Sequence, residues 1–105
     1  MPFVDTNMLP QHERRPGWFG RYFHSPSMTF AHWTFTAGSD IHEHGHEQEE
    51  VWEIIEGELA VTIAGETKIA GAGMVAIVPA DTPHSVVAIT DGKAIVIDYP
   101  LRLEH

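Results

Sequence analysis

His44 and His46 stand two residues apart, and Glu50 follows four residues later. On an extended strand both rings leave the same face. Glu50 shares their parity and joins them after a small bend. Two imidazoles and a carboxylate converging on one side are three ligands of a metal site. The plainer alternative is a solvated acidic loop with incidental histidines. Eight histidines in 105 residues weigh against it. A fourth ligand must come from elsewhere in the chain, and His84 is the best candidate. It follows Pro79-Ala80-Asp81-Thr82-Pro83, a stiff loop that would fix the direction of the ring. Taken alone, a histidine there is more readily a packed core or surface residue; with three partners in hand the balance reverses.

The elements that must position these groups read as strands. Met28–Thr36 alternates, with Phe30, His32 and Thr34 on one face and Ala31, Trp33 and Phe35 on the other. Ile41–His46 is the ligand strand. Val51–Ile55 carries Trp52 and Ile54 on the Glu50 face. Leu59–Ile63 and Thr67–Ile69 form a hairpin around Ala64-Gly65-Glu66. Met74–Val78 is almost wholly apolar, Ser85–Ile89 places Val86 and Ala88 on the His84 face, and Ala94–Tyr99 is the last strong strand. About eight short strands at intervals of roughly 8–12 residues, without helical periodicity, predict an all-β sandwich or barrel.

Residues 1–27 read as an irregular N-terminal arm before a barrel at 28–100, all in one domain. The arm holds three prolines before residue 18, a possible edge strand at Phe3-Val4, a turn at Arg14-Arg15-Pro16-Gly17, and the aromatics Trp18, Phe19, Tyr22 and Phe23. Core packing and a dimer seam are the favoured roles for those aromatics, ahead of stacking on a ligand. Leu103-Glu104-His105 reads as the remnant of a purification-tag junction and is set aside.

With 15 acidic against six basic residues, the formal charge of −9 repels a phosphate backbone and an anionic membrane surface. No nucleic-acid or membrane partner is expected. The absence of cysteine excludes disulfides and thiolate ligands. No apolar run is long enough for a membrane span, and no signal-peptide core is present, so a cytoplasmic protein is expected.

The stretch from Gly38 to Gly57 resembles the first motif of the cupin superfamily, G-x5-H-x-H-x3-E-x6-G, at Gly38, His44, His46, Glu50 and Gly57. The second motif, G-x5-P-x-G-x2-H-x3-N, fits at Gly73, Pro79 and His84, with Asp81 in place of glycine and Ala88 in place of asparagine. The 15 residues between Gly57 and Gly73 are like the short spacing of small bacterial cupins. The resemblance covers about half of the chain. It implies a double-stranded β-helix, a jelly-roll barrel of six to eight strands. It also implies one divalent transition metal per chain, held by His44, His46, Glu50 and His84, and a homodimer. Asp81 tolerates the turn geometry glycine would supply better than most residues. A shifted register using His42 and His44 would need glycine where Thr36 stands, so His42 is placed at the barrel mouth instead.

Mn, Fe, Ni, Zn and Cu all suit three histidines and a glutamate. Such a site is suited to polarising a carbonyl or stabilising an enediolate, with His42 or Glu49 as candidates to move the proton. Glu49 has outward parity, which favours a solvated side chain. Phe30, His32, His42 and Trp52 are the candidate substrate contacts. Asp98 has inward parity or sits at a strand end. The leading expectation is a metal-dependent enzyme, an isomerase or dioxygenase, acting on a small oxygenated metabolite such as a sugar or sugar acid. The alternatives are a non-catalytic metabolite- or metal-binding or sensing module, and a barrel whose metal only braces the fold.

Overall fold

The computed structural model describes residues 2–103. Ten strands follow a single 3₁₀ turn at Thr6–Met8: β1 (His12–Arg15), β2 (Trp18–His24), β3 (Thr29–Phe35), β4 (Asp40–His44), β5 (Glu49–Glu56), β6 (Glu58–Ile63), β7 (Glu66–Gly71), β8 (Val75–Val78), β9 (His84–Ala88) and β10 (Gly92–Tyr99). They form a six-stranded sheet in the order β1-β2-β3-β10-β5-β8 and a four-stranded sheet in the order β4-β9-β6-β7. Each of the eight strands read from the sequence has its counterpart in β3 to β10. No described helix is long and apolar enough to cross a membrane.

The two further strands, β1 and β2, fall where the sequence predicts an irregular arm. β2 escapes a periodicity reading because both of its faces are aromatic. Trp18, Gly20 and Tyr22 turn toward the core, while Phe19 and Phe23 leave the other side. Residues 16 and 17 alone make the turn between β1 and β2, with Gly17 at φ +84° and its amide donating to Glu13 Oε2. Phe3 and Val4 lie outside any strand and are exposed.

Both sheets contribute one face to a single core. Trp18, Trp33, Phe35, Trp52, Ile54 and Val96 come from the larger sheet, and Leu59, Val61, Val86 and Ala88 from the smaller. Trp18 is wholly buried and meets Trp33 and Trp52 edge-on at centroid distances of 5.8 and 6.1 Å. Edge-to-face contacts of this kind add to the stabilisation that burial alone provides. The hairpin between β6 and β7 turns through Ala64 (φ 50°) and Gly65 (φ 82°), the two positive values a tight two-residue turn requires. Gly57 is fixed by crowding as well as by its φ of +84°: a methyl group there would run into the Asp91 carbonyl.

Candidate metal centre

Three elements bring the ligand candidates together. β4 pairs with β9 so that His44 stands directly opposite His84. The pairing is irregular between Ile41 and His44, which re-aims the end of the strand. His46 lies in the connection beyond β4, and Glu50 opens the buried face of β5. The ligating nitrogens of His44, His46 and His84 all lie within 4.8 Å of one another.

The tautomers follow from the backbone. Nδ1 of His44 donates to the His42 carbonyl at 2.8 Å, Nδ1 of His46 to the Gln48 carbonyl at 3.1 Å, and Nδ1 of His84 to the Thr82 carbonyl at 2.9 Å. A carbonyl only accepts, so each ring carries a proton on Nδ1, and Nε2 is left to bind a metal when bare or to donate to a carboxylate when the ring is imidazolium. Glu50 meets two of these nitrogens, with Oε1 3.1 Å from His46 Nε2 and Oε2 3.1 Å from His84 Nε2. Ligands at ~2.1 Å from an octahedral ion sit about 3 Å apart along each edge, so the two 3.1 Å spacings between Glu50 and the histidines match the edges of a first-row divalent site.

The electrostatics of this cluster are tightly linked. Burial alone would raise the Glu50 pKa, but hydrogen bonds from His46, His84 and Trp52 outweigh it and hold the carboxyl well below the usual carboxylate range. Burial alone would lower His84, but the Glu50 hydrogen bond and the Thr82 carbonyl raise it above the ordinary histidine value. Burial dominates at His44 and lowers it.

Two charged groups at the centre were not assigned from sequence. Asp98 is opposite Glu50 in the β10–β5 pairing and is 1% exposed, which settles its inward parity. Its carboxylate lies within 4.8 Å of those of Glu50 and His46's ring nitrogen. Arg102, beyond the last strand, places Nη1 3.3 Å from Glu50 Oε1 and 3.7 Å from Asp98 Oδ2. Its backbone is clamped by the buried Thr29, whose Oγ1 accepts from the Arg102 amide at 2.9 Å and donates to the Arg102 carbonyl at 3.1 Å. Gln48 Nε2 holds the neighbouring Leu101 carbonyl at 3.0 Å.

His44 and Glu50 face a pocket of about 80 Å³ walled by Trp33, Trp52, Ile41 and Val96 and rimmed by Tyr22, Arg14, Arg15 and Arg102. Trp52 lines this pocket. Phe30 and His32 do not, and this corrects the cavity-facing direction read for them from strand parity. β3 buries Thr29, Ala31, Trp33 and Phe35, so Phe30 and His32 lie on its opposite face, where Phe30 stacks on Phe23 at 4.7 Å. Both faces of β3 are apolar, and parity alone chose the wrong one; Trp33 is the wall residue. His42 is exposed and accepts from Arg15 Nη1 at 3.1 Å. Glu49 is exposed on the outward face of β5. Glu49 therefore points away from the cluster, while the exposed His42 ring lies 6.0 Å from that of His44. Tyr22 is pushed up to about 12, by burial first and against the nearby arginines, so its phenol stays protonated.

The family profile described as "Cupin domain" matches residues 31–100. An RmlC-like cupin from Shewanella frigidimarina is 23% identical, with a TM-score of 0.91 over 98% of this chain and 94% of that one. KdgF from a Halomonas species is 23% identical, with a TM-score of 0.91 over 98% of this chain and 96% of that one. Bacillus subtilis oxalate decarboxylase, a protein with Mn(II) centres, is 18% identical, with a TM-score of 0.84 over 96% of this chain and 30% of that one. At such identities the likeness is one of fold. No match was found among curated proteins. With two thirds of its length under the family profile and two antiparallel sheets arranged as in these structures, the chain belongs to the cupin family.

Proposed function

We propose that this protein is a metal-dependent enzyme, of the isomerase or dioxygenase kind, acting on a small oxygenated metabolite such as a sugar or sugar acid. One divalent transition metal would be held by His44, His46, Glu50 and His84. The observation that carries the reading is the set of three Nδ1–carbonyl hydrogen bonds, which leave three Nε2 atoms free to converge, two of them 3.1 Å from the Glu50 carboxylate. A protein that used these rings only for packing would have no need to fix all three tautomers the same way.

When bound, a divalent ion supplies Lewis acidity toward a carbonyl or hydroxyl oxygen. The chain's own residues do the rest. Trp33, Trp52, Ile41 and Val96 keep the pocket apolar and limit water. Tyr22 offers a protonated phenol at the rim. Asp98, beside Glu50 and paired with Arg102, is the second buried carboxylate among the described residues and the group best placed to hold or pass a proton near the cluster.

Elemental analysis of the purified protein, followed by turnover assays of the metal-loaded form on a panel of sugars, sugar acids and diketones, tests this. One metal per chain and turnover of at least one compound are expected. A full metal load with no turnover would favour the non-catalytic binding or sensing module. One observation speaks for that second reading: His42 and Glu49 both face solvent.

A further inference from the structure

We propose that the pocket over the metal cluster selects a small carboxylate, and that Arg14 and Arg15 do the selecting together with Arg102. This deepens the preceding reading and rests on it, choosing the acid over the neutral sugar.

The chain has six basic residues and a formal charge of −9, yet three of the six line this one pocket. Against Arg14, Arg15 and Arg102 stand the carboxylates of Glu50 and Asp98. A divalent ion in the cluster would leave the pocket strongly positive inside an acidic protein. Low-dielectric walls focus such a field.

The arginines are placed, not merely near. Successive residues of a strand normally point to opposite faces. The β1–β2 pairing slips between Glu13 and Arg15, and this bulge lets Arg14 and Arg15 line the same pocket. Arg14 lies over the Tyr22 ring at 5.2 Å, Arg15 is tied to His42 at 3.1 Å, and Arg102 is held by Glu50 and Asp98. Side chains held in this way lose less freedom when an anion arrives.

Arg14, Arg15, Tyr22 and Arg102 all fall outside residues 31–100, the part that matches the family profile. The ligand cluster belongs to the matched region, while the positive rim is supplied by the segments on either side of it. At roughly 10–15 Å³ per water-sized position, a pocket of about 80 Å³ has room for a handful of heavy atoms. The apolar walls suit a carbon skeleton, and the guanidinium forks suit a planar carboxylate.

The test is calorimetric titration of the full chain, metal-loaded and chelated, with three matched pairs: glycerate and glycerol, glucuronate and glucose, succinate and butanediol. Inorganic phosphate is the control. At least one acid is expected to bind the loaded protein tenfold or more tighter than its neutral mate, with affinity falling as salt rises. Arg14→Gln and Arg15→Gln should each cut that preference several-fold with metal content unchanged, and Arg15→Lys should restore part of it. No tenfold preference in any pair, an unaltered preference in both glutamine variants, or phosphate binding as tightly as the best acid would overturn the proposal. A carboxylate preference that persists in a chain that takes up no metal would sink the metal reading and leave this one standing. Metal uptake without the preference would do the reverse.

Discussion

Glu50→Gln is the substitution whose consequences the structure determines most fully. The Glu50 carboxylate meets two fixed donors, Trp52 and Arg102, and two histidine nitrogens that donate only when their rings are imidazolium. Oε1 meets His46 Nε2 at 3.1 Å and Arg102 Nη1 at 3.3 Å, while Oε2 meets Trp52 Nε1 at 2.6 Å and His84 Nε2 at 3.1 Å. Glutamine has the same shape but only one acceptor oxygen. Whichever way the amide turns, its NH₂ confronts a fixed donor, Arg102 Nη1 or Trp52 Nε1. Removing one partner of a buried, hydrogen-bonded charge cluster costs about 3–5 kcal/mol. Arg102 is 18% exposed and keeps Asp98 as a partner, so part of that cost is relieved and about 2–4 kcal/mol is expected. For a domain of this size that is a fall in melting temperature of roughly 10–20 °C. Urea unfolding in the presence of chelator measures it. Acid should narrow the gap. The folded pKa of Glu50 is lowered, so its contribution is present above the unfolded carboxylate value and is lost as pH falls through the folded one. Metal affinity should drop by at least about 100-fold, because even residues that only orient a ligand cost 10–100-fold when removed. A variant within 1 kcal/mol of the parent in chelator, or binding metal within about threefold of it, would refute the reasoning.

The other predictions concern pH, backbone and the outer face. His84 has a raised folded pKa, so in chelator its contribution is complete below the unfolded histidine value and is lost as pH rises through the folded one. Metal displaces that proton, so the loaded protein should gain stability over the same rise. Urea midpoints against pH, with and without metal, should therefore diverge above about pH 6.5, and parallel curves would contradict the assignment of His84 as a ligand. Gly57→Ala should cost at least about 2 kcal/mol, from its positive φ and the Asp91 carbonyl together, as read from thermal melts. Phe30→Ala and His32→Ala should leave metal affinity unchanged in competition titrations, since both side chains sit on the face of β3 away from the cluster.

The ligand candidates were legible because their geometry is local. His44, His46 and Glu50 lie within seven residues, and strand parity with one bend is enough to place them. His84 was legible through its loop and its motif. What was hidden depends on register between distant strands. Asp98 reaches Glu50 only because β10 pairs with β5 at that offset, and the same residue pairs with Thr29 on its other side. Arg102 lies past the last strand, and its entry into the centre depends on Thr29 and Gln48 gripping the tail, contacts that span 73 and 53 positions. The Phe30 and His32 assignment failed for a different reason. A strand with apolar residues on both faces carries no contrast for a period-two reading to detect.

The two departures from the second cupin motif, Asp81 and Ala88, are both placed by main-chain contacts. Asp81 stands where glycine is usual and adopts φ +57°, the left-handed conformation that glycine would supply. That turn directs the Asp81 amide to the His46 carbonyl at 2.8 Å. The loop leading to His84 is therefore bonded to the backbone of another ligand candidate. With the His44–His84 pairing, this makes two backbone ties between segments 35 and 40 residues apart. Ala88, in the place of asparagine, is buried and keeps its amide on the Ser39 carbonyl at 2.8 Å. In both cases the contact belongs to the main chain. What the site demands at these positions is a backbone path, and side chains able to follow that path can stand in for the usual ones. The ligand positions have no such latitude, since each supplies an atom directed at the shared centre.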